Sequence, residues 1–493
     1  MKFKYIISAI AVLAICSSCK NYLDLSDPNA VTVKNYYQEE TDIERSVNGV
    51  YAQVKSGAFC GTSTFYFEEC KARMLTYPDT GVGGGTNAQF DNCTVVPSNT
   101  IVLDRWNAIY NCIDRANVVL KHVGDITYNP ATKKDVYEAE VRFVRALCYY
   151  TLVTTYGDVP LVLEKLENLA AVNEANVRIT TDKVYQAIFD DCAFVVNSPI
   201  ADLQNAANCG RASKVAALTL WGKALLQMAT DEAYASQKAT LCKTAQEKLS
   251  AAWNKKPFSD FASLDVQEPF IVGTQDGAKE NIFQLCYIGG SNSANSGFNG
   301  SFRPTSIDDP ACEVNYAGNS GSFFMPLMTT YNIFDEVGDL RFNKLMAHGN
   351  HKGSECYYTL KYLDLDPSGY AGCNFVLLRY ADVALMLAEA YYHGGSDDEA
   401  VKYLNYVRNR AGLASIKATG KTLRDAIYKE RQREFCYEGK AYSDMKRGYT
   451  KAEMLQIMKD GGATEYSNTD WLCPIPNTQH ILNPVGLWQN EGY

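Results

Sequence analysis

The sequence of 493 residues lacks the motifs by which most enzymes and metalloproteins are recognised. It contains no G-x-S-x-G, H-E-x-x-H or G-x-x-x-x-G-K pattern, so the common signatures of serine hydrolases, zinc peptidases and phosphate-binding loops are missing. Histidine is scarce, with five residues, and no two cysteines after residue 19 have C-x-x-C spacing, so zinc-ligand patterns are missing as well. We therefore expect no catalytic residues, no bound metal and no cofactor.

Positive charge is also in short supply. Lys and Arg total 47 against 56 Asp and Glu, and the basic residues do not cluster. A protein that neutralises phosphates needs a basic patch, so this composition argues against nucleic acid as a partner. After the first 18 residues, no apolar run in the sequence is long enough to span a membrane.

The first 18 residues have the pattern of a secretory signal peptide. Two lysines precede an apolar run over residues 5–15, and small residues stand directly before Cys19. A cysteine at the cleavage point is a lipid acceptor, and Cys19 suits that role better than Cys16, which follows the bulky Ile15. We expect residues 19–493 to form the mature protein, held at a membrane by acyl chains on Cys19. A plain secretory signal with an incidental cysteine is the alternative.

Helical periodicity dominates the rest of the chain. Apolar residues recur at i, i+3, i+4 and i+7, and helix-ending signals such as Gly157 and Gly412 follow two of the segments. The pattern predicts helices over residues 40–55, 103–123, 131–156, 181–197, 214–230, 239–254, 376–392, 397–410 and 423–437. They come as neighbouring pairs, roughly within residues 38–254 and 376–450, which resembles a degenerate tetratricopeptide repeat.

Two long segments interrupt the helical pattern. Residues 58–100 contain a glycine-rich stretch, and residues 255–374 are rich in Gly, Ser, Asn, Asp and Pro. Both are longer than ordinary connections inside a compact domain, and loops of that length are usually functional or disordered. Because binding residues tend to lie on loops held by a rigid scaffold, we expect the functional surface on these two segments.

Six motifs spread over nearly the whole chain are specific in combination. They occupy residues 106–117, 139–161, 378–390, 405–413, 430–447 and 474–493, and the strongest begins Ala139-Glu140-Val141-Arg142-Phe143-Val144-Arg145. Together they resemble the SusD/RagB family of outer-membrane nutrient-binding lipoproteins. Ala441 and Tyr442 depart from the residues that are usual at those positions of the family, and both lie in the presumed scaffold.

The resemblance implies a mostly α, SusD-like single domain over residues 19–493. In it, four tetratricopeptide-like helix pairs form the scaffold, long loops bind the ligand, and there is little β structure. The resemblance also implies a lipid-anchored protein on the cell surface of the outer membrane, which captures an oligosaccharide and delivers it to a SusC-like TonB-dependent transporter. The alternative is a RagB-like lipoprotein that binds peptides for an oligopeptide uptake system.

The two long segments supply the candidate ligand-binding residues. Sugars are held by aromatic side chains that stack on the ring faces and by polar side chains that contact the hydroxyl groups. The candidates are Tyr66, Arg73, Tyr77, Asn87 and Phe90 in the first segment and Asn295, Phe298, Phe302 and Tyr316 in the second. Tryptophan, the side chain on which sugar rings stack best, is absent from both segments. The five tryptophans stand at positions 106, 221, 253, 471 and 488. Their absence from the segments weakens the glycan hypothesis relative to the peptide hypothesis.

The charged residues of the motifs invite an enzymatic interpretation. Arg142 and Arg145 lie three residues apart on one predicted helix, and Arg431, Glu434 and Glu438 have similar spacings. Such carboxylate–guanidinium sets usually tie one helix to another. Glycoside hydrolysis would need two acids that flank a cleft, and no such pair stands out in the sequence. We therefore interpret these residues as scaffold.

Fourteen of the 16 cysteines follow Cys19. Cys112, Cys148, Cys192 and Cys436 fall within predicted helices, where a cysteine usually serves as a small buried apolar residue. Those in loop-like stretches could be bridged in an exported protein, and the pairing stays open at this point.

Overall fold

The structure, a computed structural model, describes residues 36–77, 85–290, 294–302, 324–327, 332–351, 354–364 and 370–493. Cys19 and Tyr316, two of the sequence-predicted functional residues, lie outside the described residues.

Helices form most of the described chain, as the sequence predicts. The longer ones are α1 (Glu40–Val54), α2 (Thr100–His122), α3 (Lys133–Tyr156), α4 (Thr181–Asn197), α5 (Lys214–Ala229), α6 (Lys238–Trp253), α7 (Tyr380–His393), α8 (Asp397–Arg410), α9 (Gly420–Phe435), α10 (Ala441–Gly448) and α11 (Lys451–Asp460). Among the described residues, none of the helices combines the length and the apolar character that crossing a bilayer requires.

The first eight of these helices pack as four pairs: α1 with α2, α3 with α4, α5 with α6, and α7 with α8. The α5–α6 pair shows why small residues stand at the contacts. A Cβ added at Gly222 of α5 would lie 2.4 Å from Cγ of Leu249 on α6, so the two helices can approach this closely only with glycine at that position. The predicted scaffold of repeat-like helix pairs in a mostly α domain is confirmed.

The strands are short and form two-stranded sheets. The pairs are β1 (Leu75–Thr76) with β5 (Met325–Pro326), β2 (Val159–Pro160) with β3 (Arg178–Ile179), β4 (Asn281–Leu285) with β8 (Phe375–Arg379), and β6 (Met346–His351) with β7 (Ser354–Thr359). All four pairs are antiparallel.

Strand β8 corrects one helix prediction. Residues 376–392 were predicted as one helix, but Phe375–Arg379 is a strand and α7 begins at Tyr380. The buried run Phe-Val-Leu-Leu satisfies its backbone by pairing with β4, where Phe283 lies opposite Leu378. A short apolar run cannot be assigned to strand or helix by periodicity alone, and here the tertiary partner decides.

The first long segment is also more ordered than a loop. It contains the short helices Gly57–Cys60, Thr62–Phe65 and Ala88–Asp91 and a π-helical turn, Tyr66–Cys70. The strand pair β1–β5 then joins it to the second long segment, with Leu75 opposite Pro326 and Thr76 opposite Met325. The two long segments therefore meet along this strand pair.

Candidate functional site

We call the surface where the two long segments meet the loop face, and define it as residues 66–77, 85–92, 294–302 and 324–327. Its base is a continuous cluster of aromatic rings. Tyr66 contacts Phe90 with ring centroids 5.7 Å apart and Phe324 at 5.2 Å, and Tyr77 contacts Phe324 at 5.0 Å. Rings from both segments therefore pack against each other across the face.

The predicted aromatic residues differ in how far they reach the surface. Phe90, Phe298 and Phe302 are 0%, 3% and 2% exposed, and Tyr66 is 7% exposed. Since a ring needs a free face to stack on a sugar, these four side chains support the loop face from below in this structure. Tyr77 is half-buried and is the described aromatic candidate nearest to solvent.

The polar candidates lie around the same cluster. Arg73 takes a left-handed backbone conformation, with φ of 60°, and donates from Nη1 to the carbonyl oxygen of Asp91 at 2.9 Å. Arg73 lies between the π-helical turn Tyr66–Cys70 and β1, so this hydrogen bond fixes the helix Ala88–Asp91 to that connection. Asn87 stands at the start of that short helix, and Asn87 and Asn295 are both half-buried. Arg73 and Asn87 thus lie beside Phe90, and Asn295 lies three residues before Phe298 in the second segment.

A second group of charged residues lies deep in the scaffold. Arg379 donates to Glu438 at 2.7 Å and to Glu280 at 2.7 Å, and it also pairs with Glu434. All four side chains are buried. Burial alone would raise the pKa of Glu434, but Arg410, Arg379 and Arg341 hold it well below its usual range. These ion pairs connect β8, α8 and α9, which confirms the scaffold interpretation of the motif around Glu434.

The Arg145 motif has the same role at the other end of the repeats. From α3, its guanidinium makes a bidentate contact with Asp191 of α4, with Nε–Oδ2 and Nη2–Oδ1 distances of 2.8 Å. Its Nη1 donates to Asn117 of α2 at 2.8 Å and to the carbonyl oxygen of Leu163 at 2.7 Å. One buried side chain thus joins three helices, as predicted for a scaffold residue.

A large cavity opens on a different part of the molecule, which we call the helix-end cavity. Its volume is about 450 Å³, within the range usual for small-molecule sites. The C-terminal ends of α3, α5 and α7 meet there, together with the α10–α11 connection and the C-terminal stretch of the chain.

The walls of the helix-end cavity combine aromatic rings with positive charge. Five aromatic side chains line it: Tyr185, Tyr392, Tyr449, Trp471 and Trp488. Six basic residues, Arg178, Lys238, Arg424, Lys446, Arg447 and Lys451, face three acidic ones, Asp158, Asp231 and Glu232. Carboxylates behind the lining neutralise Arg447 and Arg424, so four of the six basic residues remain without an ion pair among the described residues.

Hydrogen bonds from Arg178 hold the C-terminal wall in place. Its Nε donates to the carbonyl oxygen of Asp158 at 2.7 Å and its Nη2 to the side chain of Asn490 at 2.6 Å, while its guanidinium lies 4.9 Å from the ring of Trp488. Burial lowers the pKa of Arg178 to about 10. At neutral pH this arginine is charged, and it fixes the tail that carries Trp488.

A third feature is a cluster of Cys209, Asp276 and Cys286. One ligand atom from each lies within 4.8 Å of the others, so the residue types could hold a metal ion. The two sulfur atoms are 3.0 Å apart. Two thiolates on one tetrahedral zinc ion at the usual Zn–S length of about 2.3 Å would be about 3.7 Å apart, so this spacing fits a metal poorly.

The fold and the loop face define a class: a helical-repeat binding module without a hydrolase motif. Comparison with known proteins places the chain within that class. The SusD family model matches residues 343–493, and a SusD-like model described as "Starch-binding associating with outer membrane" matches residues 21–226. The SusD-like protein P2 of Formosa agariphila is 26% identical over 99% of this chain and 100% of its own length. The chain belongs to the SusD-like family.

Solved structures agree on the fold. A laminarin-binding SusD-like protein has a TM-score of 0.75 and 23% identity, over 93% of this chain and 100% of that chain. A SusD homologue from Bacteroides thetaiotaomicron has a TM-score of 0.76 and 20% identity, over 94% of this chain and 98% of that one. At these identities the likeness establishes the architecture.

Sequence reasoning missed the helix-end cavity altogether. Its lining comes from elements that are far apart along the chain, so no local motif marks it. One signal was available, because two of the five tryptophans, Trp471 and Trp488, stand in the C-terminal stretch and both line the cavity.

Proposed function

We propose that this protein is a cell-surface glycan-binding lipoprotein, anchored through Cys19, which captures an oligosaccharide on the loop face and delivers it to a SusC-like TonB-dependent transporter. The main support is the meeting of two long segments on one surface of a helical-repeat scaffold, in a chain of the SusD-like family. Capture needs no chemical step, so the proposal requires no catalytic residue.

The loop face supplies groups suited to capture. Half-buried Tyr77 gives an aromatic surface, and Asn87 and Asn295 give amide donors and acceptors for hydroxyl groups. The buried rings of Tyr66 and Phe324 pack against Tyr77 and hold it in place. Preorganisation of this kind lowers the entropy cost of binding.

Affinity electrophoresis and calorimetry with purified protein test the proposal. The panel contains starch and laminarin, chosen from the descriptions of the family model and of one structural neighbour, further polysaccharides, and peptide mixtures. We expect retardation by at least one glycan and none by peptides. Binding of peptides alone would overturn the glycan proposal and favour the peptide-binding alternative.

Variants of the loop face locate the binding surface. Tyr77→Ala and Asn87→Ala should weaken binding of the active glycan, by about 30-fold if either is a hot spot worth about 2 kcal/mol. Tyr406→Ala is the matched control, because Tyr406 is also half-buried but lies on α8 of the scaffold. If the control weakens binding and the loop-face variants do not, the capture surface lies elsewhere.

The anchor is tested separately. Cys19→Ala should move the folded protein from the membrane fraction to the soluble fraction in cells that lack the transporter, because acyl chains supply the anchor and no helix among the described residues could span a membrane. Retention of the variant in the membrane fraction would rule out Cys19 as the anchor.

A further inference from the structure

Three buried polar atoms, each on a residue that lines the helix-end cavity, have no hydrogen-bond partner among the described residues. They are Oε1 of Gln227, Nε2 of His393 and Nη1 of Arg447. Gln227 and Arg447 are 6% and 2% exposed. A buried polar atom without a partner costs free energy, and most such atoms in native proteins are satisfied. Three around one cavity indicate a site shaped for a polar ligand.

The surroundings define what each atom can do. Arg447 already binds Glu389 through Nε at 2.9 Å and Asp444 through Nη2 at 2.7 Å, so its Nη1 is a donor without an acceptor among the described residues. Burial and the neighbouring cations lower the pKa of His393 to about 3, so its ring is neutral and one nitrogen can accept a hydrogen bond. The Gln227 oxygen is an acceptor. Acceptors and a donor together suit hydroxyl groups.

Two lysines add a preference for negative charge. Lys446 is 5% exposed and donates to the carbonyl oxygen of Thr154 at 2.8 Å, but no carboxylate of the described residues lies within ion-pair distance of it. Its ammonium lies 5.4 Å from the ring of Trp471, and that of Lys451 lies 5.8 Å from the same ring. A cation buried without a counter-charge is costly, and a ligand carboxylate beside Trp471 would relieve that cost.

We propose that the helix-end cavity is a second ligand site, which binds a small saccharide carrying a carboxylate. The sugar ring packs on Trp471, the carboxylate is bound by Lys446 and Lys451, and the hydroxyl groups are bound by Gln227, His393 and Arg447. This site is distinct from the loop face and shares no residue with it. The proposal therefore does not depend on what the loop face captures.

Calorimetric titration of the purified protein with monosaccharides is the test. The probes are glucuronate, galacturonate and mannuronate, each against its neutral counterpart glucose, galactose or mannose. At least one uronate should bind at least tenfold more tightly than its neutral counterpart. If none of the three uronates binds, or if each neutral sugar binds as tightly as its uronate, the proposal is wrong.

Two variants assign the binding to this cavity. Gln227→Leu removes the unpaired oxygen, so it should weaken uronate binding at least tenfold while the thermal midpoint stays the same or rises. Lys446→Met removes the ammonium but keeps an unbranched side chain of similar length, and it should remove the preference for uronate over neutral sugar. Unchanged uronate affinity in Gln227→Leu, or an unchanged preference in folded Lys446→Met, would overturn the assignment.

Controls separate this site from the loop face and from general effects of substitution. Gln456→Leu replaces an exposed glutamine of α11 outside the cavity lining and should leave uronate binding unchanged. Tyr77→Ala on the loop face should also leave it unchanged. If Tyr77→Ala abolishes uronate binding while Gln227→Leu does not, the uronate binds at the loop face and the second site is refuted.

Discussion

Arg145 offers the sharpest test of the scaffold, because its partners are fully defined. Arg145→Ala removes a bidentate contact with Asp191 and the hydrogen bonds to Asn117 and to the carbonyl oxygen of Leu163. The Asp191 side chain is 3% exposed and would keep a single guanidinium contact, to Nη1 of Arg142 at 3.0 Å. The variant therefore leaves a buried carboxylate with one of its three guanidinium hydrogen bonds.

The expected loss follows from the burial of both partners. Removing one member of a buried ion pair costs about 3–5 kcal/mol. With an unfolding entropy of about 2.1 cal/mol/K per residue, a chain of this size has a total of about 1 kcal/mol/K, so the thermal midpoint should fall by about 3–5 °C. Affinity for the captured glycan should change little, because Arg145 lies in the repeats and not on the loop face.

Differential scanning calorimetry and a titration of the captured glycan, on the same preparation, measure the two effects. Arg45→Ala is the control, because Arg45 forms an ion pair with Asp42 at 3.3 Å while its own side chain is 66% exposed, and surface pairs are worth about 0–1 kcal/mol. An unchanged midpoint with abolished binding would refute the scaffold assignment of Arg145 and make it a ligand residue.

Three further predictions concern other parts of the fold. Burial opposes the ionisation of Glu438, but Arg379 and the neighbouring lysines lower its pKa to about 2. The ionised carboxylate therefore stabilises the fold above its unfolded pKa of about 4.5. This contribution to the free energy of unfolding, about 3 kcal/mol, is lost as the pH falls from 4.5 toward 2. The thermal midpoints of wild type and Glu438→Gln should differ at pH 7 and converge over that acid range, and a constant difference would contradict the assignment. Phe90→Ala should lower the free energy of unfolding by about 3–5 kcal/mol in urea, since the ring is fully buried, and a loss below 1 kcal/mol would show that the loop face does not depend on this ring. Cys209 and Cys286 should form a disulfide on treatment with oxidised glutathione, which takes up the two electrons and two protons, and peptide mass spectrometry that finds both as free thiols would contradict this.

The sequence was sufficient to predict the repeats because their signals are local. The apolar stripes of α4 and α8 and the glycines after α3 and α8 mark helices whose observed bounds match the predicted ones within three residues. The error at β8 has the opposite origin. Whether Phe375–Arg379 is a strand depends on β4, which lies about 90 residues earlier in the chain.

The two candidate sites also differ in how far local sequence signals predict them. The loop face was predicted from segment length and chemistry, and the pairing of β1 with β5 confirms that its two segments meet. Which of its rings are buried could not be read from the sequence, because Phe90 packs on Tyr66 and Tyr77 packs on Phe324, and both contacts join residues that are far apart along the chain. The helix-end cavity exists only where the ends of α3, α5 and α7 converge, and periodicity within each helix carries no information about that meeting point.

The central claim, capture of a glycan for a transporter, is tested most directly by purifying the lipidated full-length protein from the outer membrane of its native cells under mild detergent and identifying by mass spectrometry what accompanies it. We predict a TonB-dependent transporter as the co-purifying protein and an oligosaccharide as the bound ligand. A preparation that contains a bound peptide, or one in which no transporter accompanies the protein, would contradict the account.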